Sequence, residues 1–314
     1  MLMPASRRSC GPVFSFIFFG GLFLLLFIEP KDILPGTLSV EIHRPFEEIH
    51  TPKPYNDTKL ALLIENRVQP HLTPLLLHFM AVVPPEWPFM FMGSNESIAH
   101  INKSAPIREY ERNGKLTMKL LPENMTVGSQ EELSKTMTNA WFYSQLLPAE
   151  WLFIFQTDSI ICANSNVTLN DWIEKDYSWV GASWGENTKY GGNGGFSLRR
   201  ISHLLRVLSH QNRQDHEALE DWWLTDRLGH MPDAKMANGT EEVAFSVEKV
   251  PYETPLGYHT GWGGKLLMAP VWKEKSQRDQ IFEYCPEIKI LMPLVLNREA
   301  EECEDKDISA SFPR

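Results

Sequence analysis

Residue types that could do chemistry occur at four places in the second half of the chain. The first is Asp158, which follows the apolar run Trp151–Phe155 by way of Gln156 and Thr157. In open parallel α/β sheets, ligands bind outside the carboxyl ends of the strands. A carboxylate delivered there can meet a metal ion or a sugar ring, and the alternative is a turn aspartate that caps the next segment.

The second place is a glycine-rich segment, Tyr190-Gly-Gly-Asn-Gly-Gly-Phe-Ser-Leu-Arg-Arg200. Four glycines around Asn193 let the backbone approach a ligand closely and adopt φ > 0. The segment is neither a P-loop nor a GxGxxG motif. A step into a helix at Ser197 favours a shaped loop over a flexible turn. With Gln156, its candidates for ligand binding are Asn193, Gly194, Gly195 and Arg199.

The third and fourth places carry titratable groups. Glu220 and Asp221 are adjacent in a helical stretch rich in aromatics, so they point in different directions and one can face a cleft. A carboxylate walled by Trp can act as a general base, and the alternative is a solvated helix face. His259 follows a glycine turn, where it can bind a metal through a neutral ring nitrogen or form a hydrogen bond within a loop.

Alternating strand-like and helix-like runs must position these residues. Continuous apolar runs typical of buried strands occupy residues 59–64, 88–92, 116–121, 151–155 and 177–182, and residues 243–250 alternate weakly. Helices are predicted from an N-cap at Thr73, from a capping box of Ser129 and Glu132 with helical spacing to Leu147, and over residues 201–209. This order predicts an α/β fold with a mostly parallel sheet flanked by helices.

The N-terminal residues predict a membrane anchor. Residues 11–28 form an uncharged apolar run of 18 residues, close to the roughly 20 needed to cross a bilayer core. Arg7 and Arg8 precede the run, so the positive-inside rule places residues 1–10 in the cytosol and the rest across the membrane, as a type II protein. A cleaved signal peptide is the alternative, although no clean small-x-small cleavage site follows Ile28.

The remaining chain is organised for the lumen of the Golgi or the endoplasmic reticulum. Residues 29–57 are rich in Pro and predict an extended stem, residues 58–296 a luminal domain, and residues 297–314 an acidic, solvated tail. Six Asn-x-Ser/Thr motifs all follow the apolar run. In an oxidising lumen, Cys162, Cys285 and Cys303 predict one disulfide and one remaining thiol.

Composition excludes several classes of protein. Hydrophobic residues make up 43% of the 314 residues, which excludes a disordered chain. Lys and Arg number 30 against 40 Asp and Glu, and the resulting charge of −10 argues against nucleic acid as a partner. No CxxC pair or Cys/His zinc spacing occurs in the sequence.

Six sequence blocks together resemble a known family. QTDS, DYSWVGASW, GGNGGFSLRR, EDWW, FSVE and PLGYH look like the fungal membrane proteins that carry domain of unknown function 5672 (DUF5672), which are regarded as glycosyltransferase candidates. The resemblance covers roughly residues 59–259. The order of blocks is also similar to that of GT-A glycosyltransferases. It therefore implies their Rossmann-like fold, a nucleotide diphosphate sugar as donor, and a glycan or glycoprotein as acceptor.

The resemblance also implies a metal site. In GT-A enzymes an Asp-x-Asp motif follows a buried strand and binds a divalent cation, Mn²⁺ or Mg²⁺, on the donor diphosphate. Asp158 matches the second acid of the motif, while Gln156 occupies the first position and removes one charged ligand. His259 matches a late histidine that can complete the metal shell. The departure at Gln156 leaves the metal requirement open.

The remaining carried-over roles concern the sugar-binding and base positions. Gly194 and Gly195 match the glycine-rich block that lines the donor and acceptor sites. Asp221 or Glu220 matches the base, and direct displacement with such a base would invert the anomeric centre. If neither carboxylate faces the cleft, a retaining mechanism is the better prediction.

Two other classes of protein stay open. A catalytically inactive, membrane-anchored glycan-binding protein would keep the same fold, and the substitution at Gln156 supports it. A metal-assisted hydrolase would need several acids clustered at the strand ends, where the sequence offers Asp158 with few companions.

Overall fold

The computed structural model describes residues 54–123, 125–261 and 270–292. The predicted cytosolic tail at residues 1–10, the anchor at 11–28, most of the stem at 29–57 and the acidic tail at 297–314 lie outside these residues, and these boundaries stay predictions. Among the described residues, no helix is long and apolar enough to cross a bilayer.

The described strands form one larger and one smaller sheet. They are β1 (Lys59–Glu65), β2 (Phe89–Gly93), β3 (Leu116–Leu120), β4 (Trp151–Phe155), β5 (Ser159–Ile161), β6 (Trp179–Ala182), β7 (Asn193–Arg200), β8 (Ser246–Val247) and β9 (Gly257–His259). The larger sheet has the order β3-β2-β1-β4-β7-β6, and the smaller has the order β5-β9-β8. In the larger sheet only β7 runs antiparallel to its neighbours. This arrangement confirms the predicted α/β fold with a mostly parallel sheet.

Helices connect the strands and cover both faces of the larger sheet. They are α1 (Leu72–Val82), α2 (Asn95–Ile101), α3 (Ala105–Arg112), α4 (Gln130–Met137), α5 (Ala140–Ser144), α6 (Leu169–Glu174), α7 (Ile201–His210), α8 (Glu220–Gly229), α9 (Gly239–Phe245), α10 (Lys275–Tyr284) and a 3-10 helix, Pro286–Leu291. The apolar residues of α4, α5, α7 and α8 join one hydrophobic core, and those of the other α-helices join a second.

The apolar strand runs follow from this double coverage. In β1, Leu60 and Leu62 belong to the core under α7 and α8, whereas Ala61 and Leu63 belong to the core under α1. Successive side chains of a strand point to opposite faces, so a strand covered on both faces needs apolar residues at every position. The same logic explains why Trp151–Phe155 has the predicted bounds.

The structure corrects the interpretation of the glycine-rich segment. Asn193–Arg200 is strand β7, and the following helix begins at Ile201 rather than at Ser197. Phe196 pairs with Phe155 and Leu198 with Phe153 across the antiparallel ladder. Burial of these residues between two helical layers outweighs the tendency of glycine to form turns, because strand preference depends mainly on tertiary context.

Three other element predictions also need correction. The helix that Ser129 caps, α4, ends at Met137, because Asn139 caps the separate helix α5. The residues predicted as a weak strand at 243–250 instead form the end of α9 and a strand of two residues, Ser246–Val247. Helix α1 begins at Leu72, so Thr73 lies inside its first turn.

One disulfide joins Cys162 to Cys285. It ties the residue after β5 to the end of α10, and both cysteines are buried. The pairing confirms one of the predicted possibilities, while Cys303 lies outside the described residues.

Candidate active site

One cleft gathers most of the residues that the sequence singled out. Its volume is about 120 Å³, and its lining includes seven of the nine predicted site residues: Gln156, Asp158, Asn193, Gly195, Glu220, Asp221 and His259. Strand β4 ends at Phe155, and antiparallel β7 begins beside that end, so the backbone amide of the next residue, Gln156, donates a hydrogen bond to the Gly195 carbonyl at 2.8 Å. The cleft therefore lies at the carboxyl end of β4, where ligands of open α/β sheets bind.

His259 lies between two carboxylates in this cleft. The pairing of β5 with β9 sets Ser159 opposite His259, which brings the ring beside Asp158. Its Nε2 lies 3.4 Å from Asp158 Oδ1, and its Nδ1 lies 3.1 Å from Glu248 Oε2. Burial disfavours the charged ring, but the two carboxylates outweigh it and raise the pKa of His259 to about 10. The two carboxylates therefore favour the protonated ring, and a metal ion bound at Nε2 would have to displace that proton.

Asp158 and His259 fit a divalent cation. The Nε2 atom of His259 is buried and faces Asp158, while the opposite nitrogen faces Glu248. A carboxylate behind the ring of a metal-binding histidine is a common supporting arrangement, because it fixes the tautomer and orientation. Within the described residues, no three His, Cys, Asp or Glu side chains are grouped to hold a metal. Two protein ligands would therefore need oxygens from a ligand or from water.

Gly194 and Gly195 are required for packing rather than for turn geometry. A Cβ on Gly195 would overlap His259 Nε2 and lie 2.6 Å from Gln156 Oε1. A Cβ on Gly194 would overlap the Glu220 carboxylate. Positive φ occurs earlier, at Gly191 with +127° and at the next residue with +93°. The two strand glycines thus allow site side chains to lie directly against the backbone of β7.

Arg199 does not line the cleft, although the sequence suggested it as a ligand-binding residue. Its side chain is fully buried beneath β7, and its guanidinium lies 3.9 Å from the ring of Trp179. It donates hydrogen bonds to the Gly194 carbonyl at 3.1 Å and to Glu220 Oε1 at 3.0 Å. Arg199 therefore fixes the strand and the carboxylate that border the cleft.

Glu220 and Asp221 occupy different environments in the first turn of α8. Glu220 is 6% exposed and paired with Arg199, and burial raises its pKa to about 7 although Arg199 opposes the shift. Asp221 is half-buried at the cleft, and its Oδ2 accepts a hydrogen bond from the Gly194 amide at 3.2 Å. Carboxylates are favoured at a helix N-terminus by the helix dipole. Of the two, Asp221 is the one whose side chain a ligand could reach without breaking a buried ion pair.

A larger cavity of about 490 Å³ lies between α7 and α8, lined by Arg206, Val207, His210, Gln211, Asp226, Arg227, His230 and Met231. None of the nine predicted site residues borders it. Cavity volume alone therefore does not identify the candidate site, because the candidate catalytic residues line the smaller cleft.

Sequence reasoning missed several parts of the cleft. Glu248, which is 1% exposed behind His259, lies in the FSVE block, but a single buried glutamate gives no signal of its partner. Gln130, Leu133 and Ser134 of α4 also line the cleft. Their contribution depends on the packing of α4 against α8, which no local pattern reveals.

A comparison with protein families finds one match in this region. The model of the family described as "Protein of unknown function (DUF5672)" matches residues 115–259. This confirms the resemblance inferred from the sequence blocks over that part of the chain, while the fungal origin remains a prediction. No curated protein matches the chain.

Several solved glycosyltransferase structures show distant similarity. The mannosyltransferase Ktr4p from S. cerevisiae in complex with GDP is 8% identical, with a TM-score of 0.29, over 40% of each chain. The mannosyltransferase PcManGT from Pyrobaculum calidifontis, in complex with GDP-Man and Mn²⁺, is 10% identical, with a TM-score of 0.40, over 87% of this chain and 80% of its own. The glycosyltransferase GlyE of Streptococcus pneumoniae TIGR4 is 11% identical, with a TM-score of 0.43, over 78% and 64%. At these values the similarities do not bear on the activity of this chain.

Proposed function

We propose that the protein is a glycosyltransferase that moves a sugar from a nucleotide diphosphate sugar to a hydroxyl of a glycan or glycoprotein. The observation that carries the proposal is the convergence of Asp158, His259 and Asp221 on one cleft at the carboxyl end of β4. A transferase of this kind needs one group of residues at the leaving diphosphate and a base at the acceptor, and these three residues are of the types that could supply both roles.

The proposed transfer assigns a separate task to each side of the cleft. Asp221 accepts the proton of the acceptor hydroxyl, whose oxygen forms a bond to the anomeric carbon as the bond from that carbon to the diphosphate breaks. The nucleoside diphosphate leaves on the side of Asp158 and His259. Attack from the side opposite the leaving group inverts the anomeric centre. Glu220 contributes by holding Arg199, and through it the backbone of Gly194, in place.

The proposed cofactor is Mn²⁺ or Mg²⁺ held by Asp158 and His259. When bound, such an ion neutralises the charge that develops on the leaving diphosphate. Glu248 would orient the His259 ring so that Nε2 faces the ion. Gln156 adds a neutral amide at the same edge, which suits hydrogen bonding to a sugar or phosphate oxygen.

We also propose that the protein is a type II membrane protein of the Golgi or endoplasmic reticulum, with the cleft in the lumen. The apolar run at residues 11–28 and the arginines before it support this topology. The disulfide between Cys162 and Cys285 supports an oxidising compartment.

A glycan-binding protein without catalytic turnover is the second candidate. The observation that favours it is Gln156, because an amide cannot replace the first acid of an Asp-x-Asp motif as a charged ligand. A hydrolase gains no comparable support, since no cluster of three or more acids, His or Cys is arranged around a metal position among the described residues.

The test is a thermal-shift titration of the full-length protein in detergent with a panel of GDP- and UDP-sugars, with and without Mn²⁺. Binding to the native state raises the apparent stability by about 2.7 kcal/mol at a hundredfold excess over Kd. We expect a shift with one donor, loss of that shift in Asp158→Asn, and an unchanged shift in the matched variant Asp279→Asn, which replaces an exposed aspartate on α10.

Radiolabelled transfer with the donor that binds separates the two candidates. Transfer of the sugar to a glycan pool supports the transferase. Donor binding with no transfer and no donor hydrolysis supports the binding protein. A chain that binds no donor under either condition would refute the proposed function.

A further inference from the structure

Two tryptophans stack against each other on the surface of the domain. Trp184 follows β6 and Trp222 lies on α8, and their ring centroids are 5.6 Å apart with an interplanar angle of 29°. Trp222 is 62% exposed, the most exposed large hydrophobic side chain in the described part of the chain, whereas its neighbour Trp223 is buried. The exposed ring therefore does not serve the core on which α8 packs.

The position of the pair connects it to the cleft. The backbone amide of Trp222 donates a hydrogen bond to Asp221 Oδ1 at 2.8 Å, and Asp221 Oδ2 accepts one from Gly194. On the other side, the Trp184 ring packs directly against Gly191, where a Cβ would lie 2.7 Å from Cζ3. Gly191 lies two residues before the cleft-lining Asn193. Both indoles thus belong to, or pack against, segments that also contribute residues to the cleft, Asp221 on one side and Asn193 on the other.

The surface has the form of a sugar-stacking platform. A large apolar surface left in water is unfavourable and commonly marks a binding site. Indole rings offer a flat apolar face with little side-chain entropy to lose, and the apolar C–H face of a pyranose can stack on such a face. Asp221 precedes Trp222 in the chain and lines the cleft, so a ring stacked here would lie near a carboxylate of the cleft. A lipid surface or a second copy of the chain would not need an aromatic stack adjoining a carboxylate-lined cleft.

We propose that the Trp184–Trp222 pair binds a pyranose ring of the acceptor glycan and presents its hydroxyl to Asp221. The inference rests on the proposed function and adds to it the class of acceptor, a pyranose-containing glycan rather than a bare protein hydroxyl.

The experiment uses saturation-transfer difference NMR on the full-length protein in detergent micelles. The probes are methyl glucopyranosides, galactopyranosides and mannopyranosides of both anomers, and their oligosaccharides. The variants are Trp222→Ala, Trp222→Phe and the control Trp141→Ala, which removes a tryptophan that is 49% exposed on α5, away from the cleft lining. Thermal unfolding verifies the fold of each variant, and the donor thermal shift is recorded in parallel.

We expect transfer to the C–H protons of at least one pyranoside, at least a tenfold weaker affinity in Trp222→Ala, near-normal affinity in Trp222→Phe, and no change in Trp141→Ala. The donor shift in Trp222→Ala should equal that of the wild type. Equal affinities of wild type and a folded Trp222→Ala would overturn the inference, and so would the absence of transfer to every probe.

Two further outcomes would assign the pair to another occupant and also overturn the inference. One is loss of binding to phosphatidylcholine–phosphatidylserine vesicles in Trp222→Ala with sugar binding intact. The other is a change in oligomeric state by light scattering. Failure of the proposed function can be distinguished from failure of this inference. A chain that binds pyranosides through Trp222 but binds no donor would refute the proposed transferase function and leave the sugar-binding role of the Trp184–Trp222 pair intact.

Discussion

The buried ion pair beneath β7 provides the sharpest test of how the site is held. Arg199 has no solvent exposure, and its guanidinium donates hydrogen bonds to Glu220, Gly194, Ser197 and Tyr143. Arg199→Met keeps much of the side-chain volume and removes all of these bonds. Because Glu220 would then be a buried carboxylate without its partner, we expect a loss of about 3–5 kcal/mol of stability.

The loss of stability caused by Arg199→Met should depend on pH, because it involves the ionisation of Glu220. Arg199 opposes the effect of burial on Glu220, whose pKa is nevertheless raised from 4.5 to about 7. Without Arg199 the pKa rises further, so the native variant prefers a protonated Glu220. A group with a raised native pKa loses stability as pH rises above its unfolded value, by at most about 1.4 kcal/mol per pH unit. The cost of Arg199→Met should therefore be larger at pH 8 than at pH 5.

Thermal unfolding followed by tryptophan fluorescence measures both effects. At about 2–4 °C per kcal/mol for a domain of this size, the expected fall in Tm at pH 8 is roughly 6–20 °C. Arg199→Met combined with Glu220→Met should recover much of this loss, because both charges are then gone. The control Arg112→Met removes an exposed surface pair and should change stability by less than about 0.5 kcal/mol. A fall below about 1 kcal/mol, or the same fall at both pH values, would refute this account of Glu220.

Three further changes test other parts of the domain. Gly195→Ala should displace the buried His259 ring, which would lower the stability of the protein by about 1–3 kcal/mol and weaken Mn²⁺ binding measured by calorimetry. The control Gly185→Ala introduces a Cβ with only ordinary contacts and should change neither property. Burial raises the pKa of Glu242 from 4.5 to about 8, so the stability of the protein should fall as pH rises between these values. Glu242→Gln should abolish that fall and raise Tm at pH 8. A variant with the same pH profile as the wild type would contradict this prediction. Cys162→Ser removes a crosslink between residues 123 positions apart and should cost about 3–5 kcal/mol, with no further effect of reductant on the variant.

Local sequence patterns predicted those elements whose environment is uniform along their length. β1, β2 and β4 are covered by helices on both faces, so their apolar runs alone indicate strands, whereas most residues of the edge strand β3 are exposed. β7 could not be recognised in the same way, because its glycines were selected by contacts with residues distant in sequence. Gly195 is a glycine because His259 and Gln156 occupy the space of a Cβ.

Individual residues of the candidate site could be predicted from the sequence, but the contacts between them could not. Asp158 could be placed by the rule that strand ends carry ligands. The different environments of Glu220 and Asp221 could not be predicted in this way, because they depend on the hydrogen bond from Arg199 on β7 to Glu220 on α8. The role of Glu248 depends similarly on the pairing of β8 with β9.

The charge balance of the cleft explains how a neutral residue can stand at the first position of the metal motif. A diphosphate placed beside Asp158 meets one negative charge there, and an aspartate at position 156 would add a second, whereas Gln156 adds none. The His259 ring lies 3.4 Å from Asp158 and is favoured in its charged form while no cation is bound, but a cation bound at Nε2 would displace that proton. Arg67 at the end of β1 is ion-paired with Glu65; a hydrogen bond to Glu65 chiefly, and the charge of Asp158 in addition, raise the pKa of its guanidinium. Replacement of an acid by Gln156 thus lowers the amount of positive charge that an added cation must provide. The Mn²⁺ dependence of donor binding measures how much positive charge the cation must still provide.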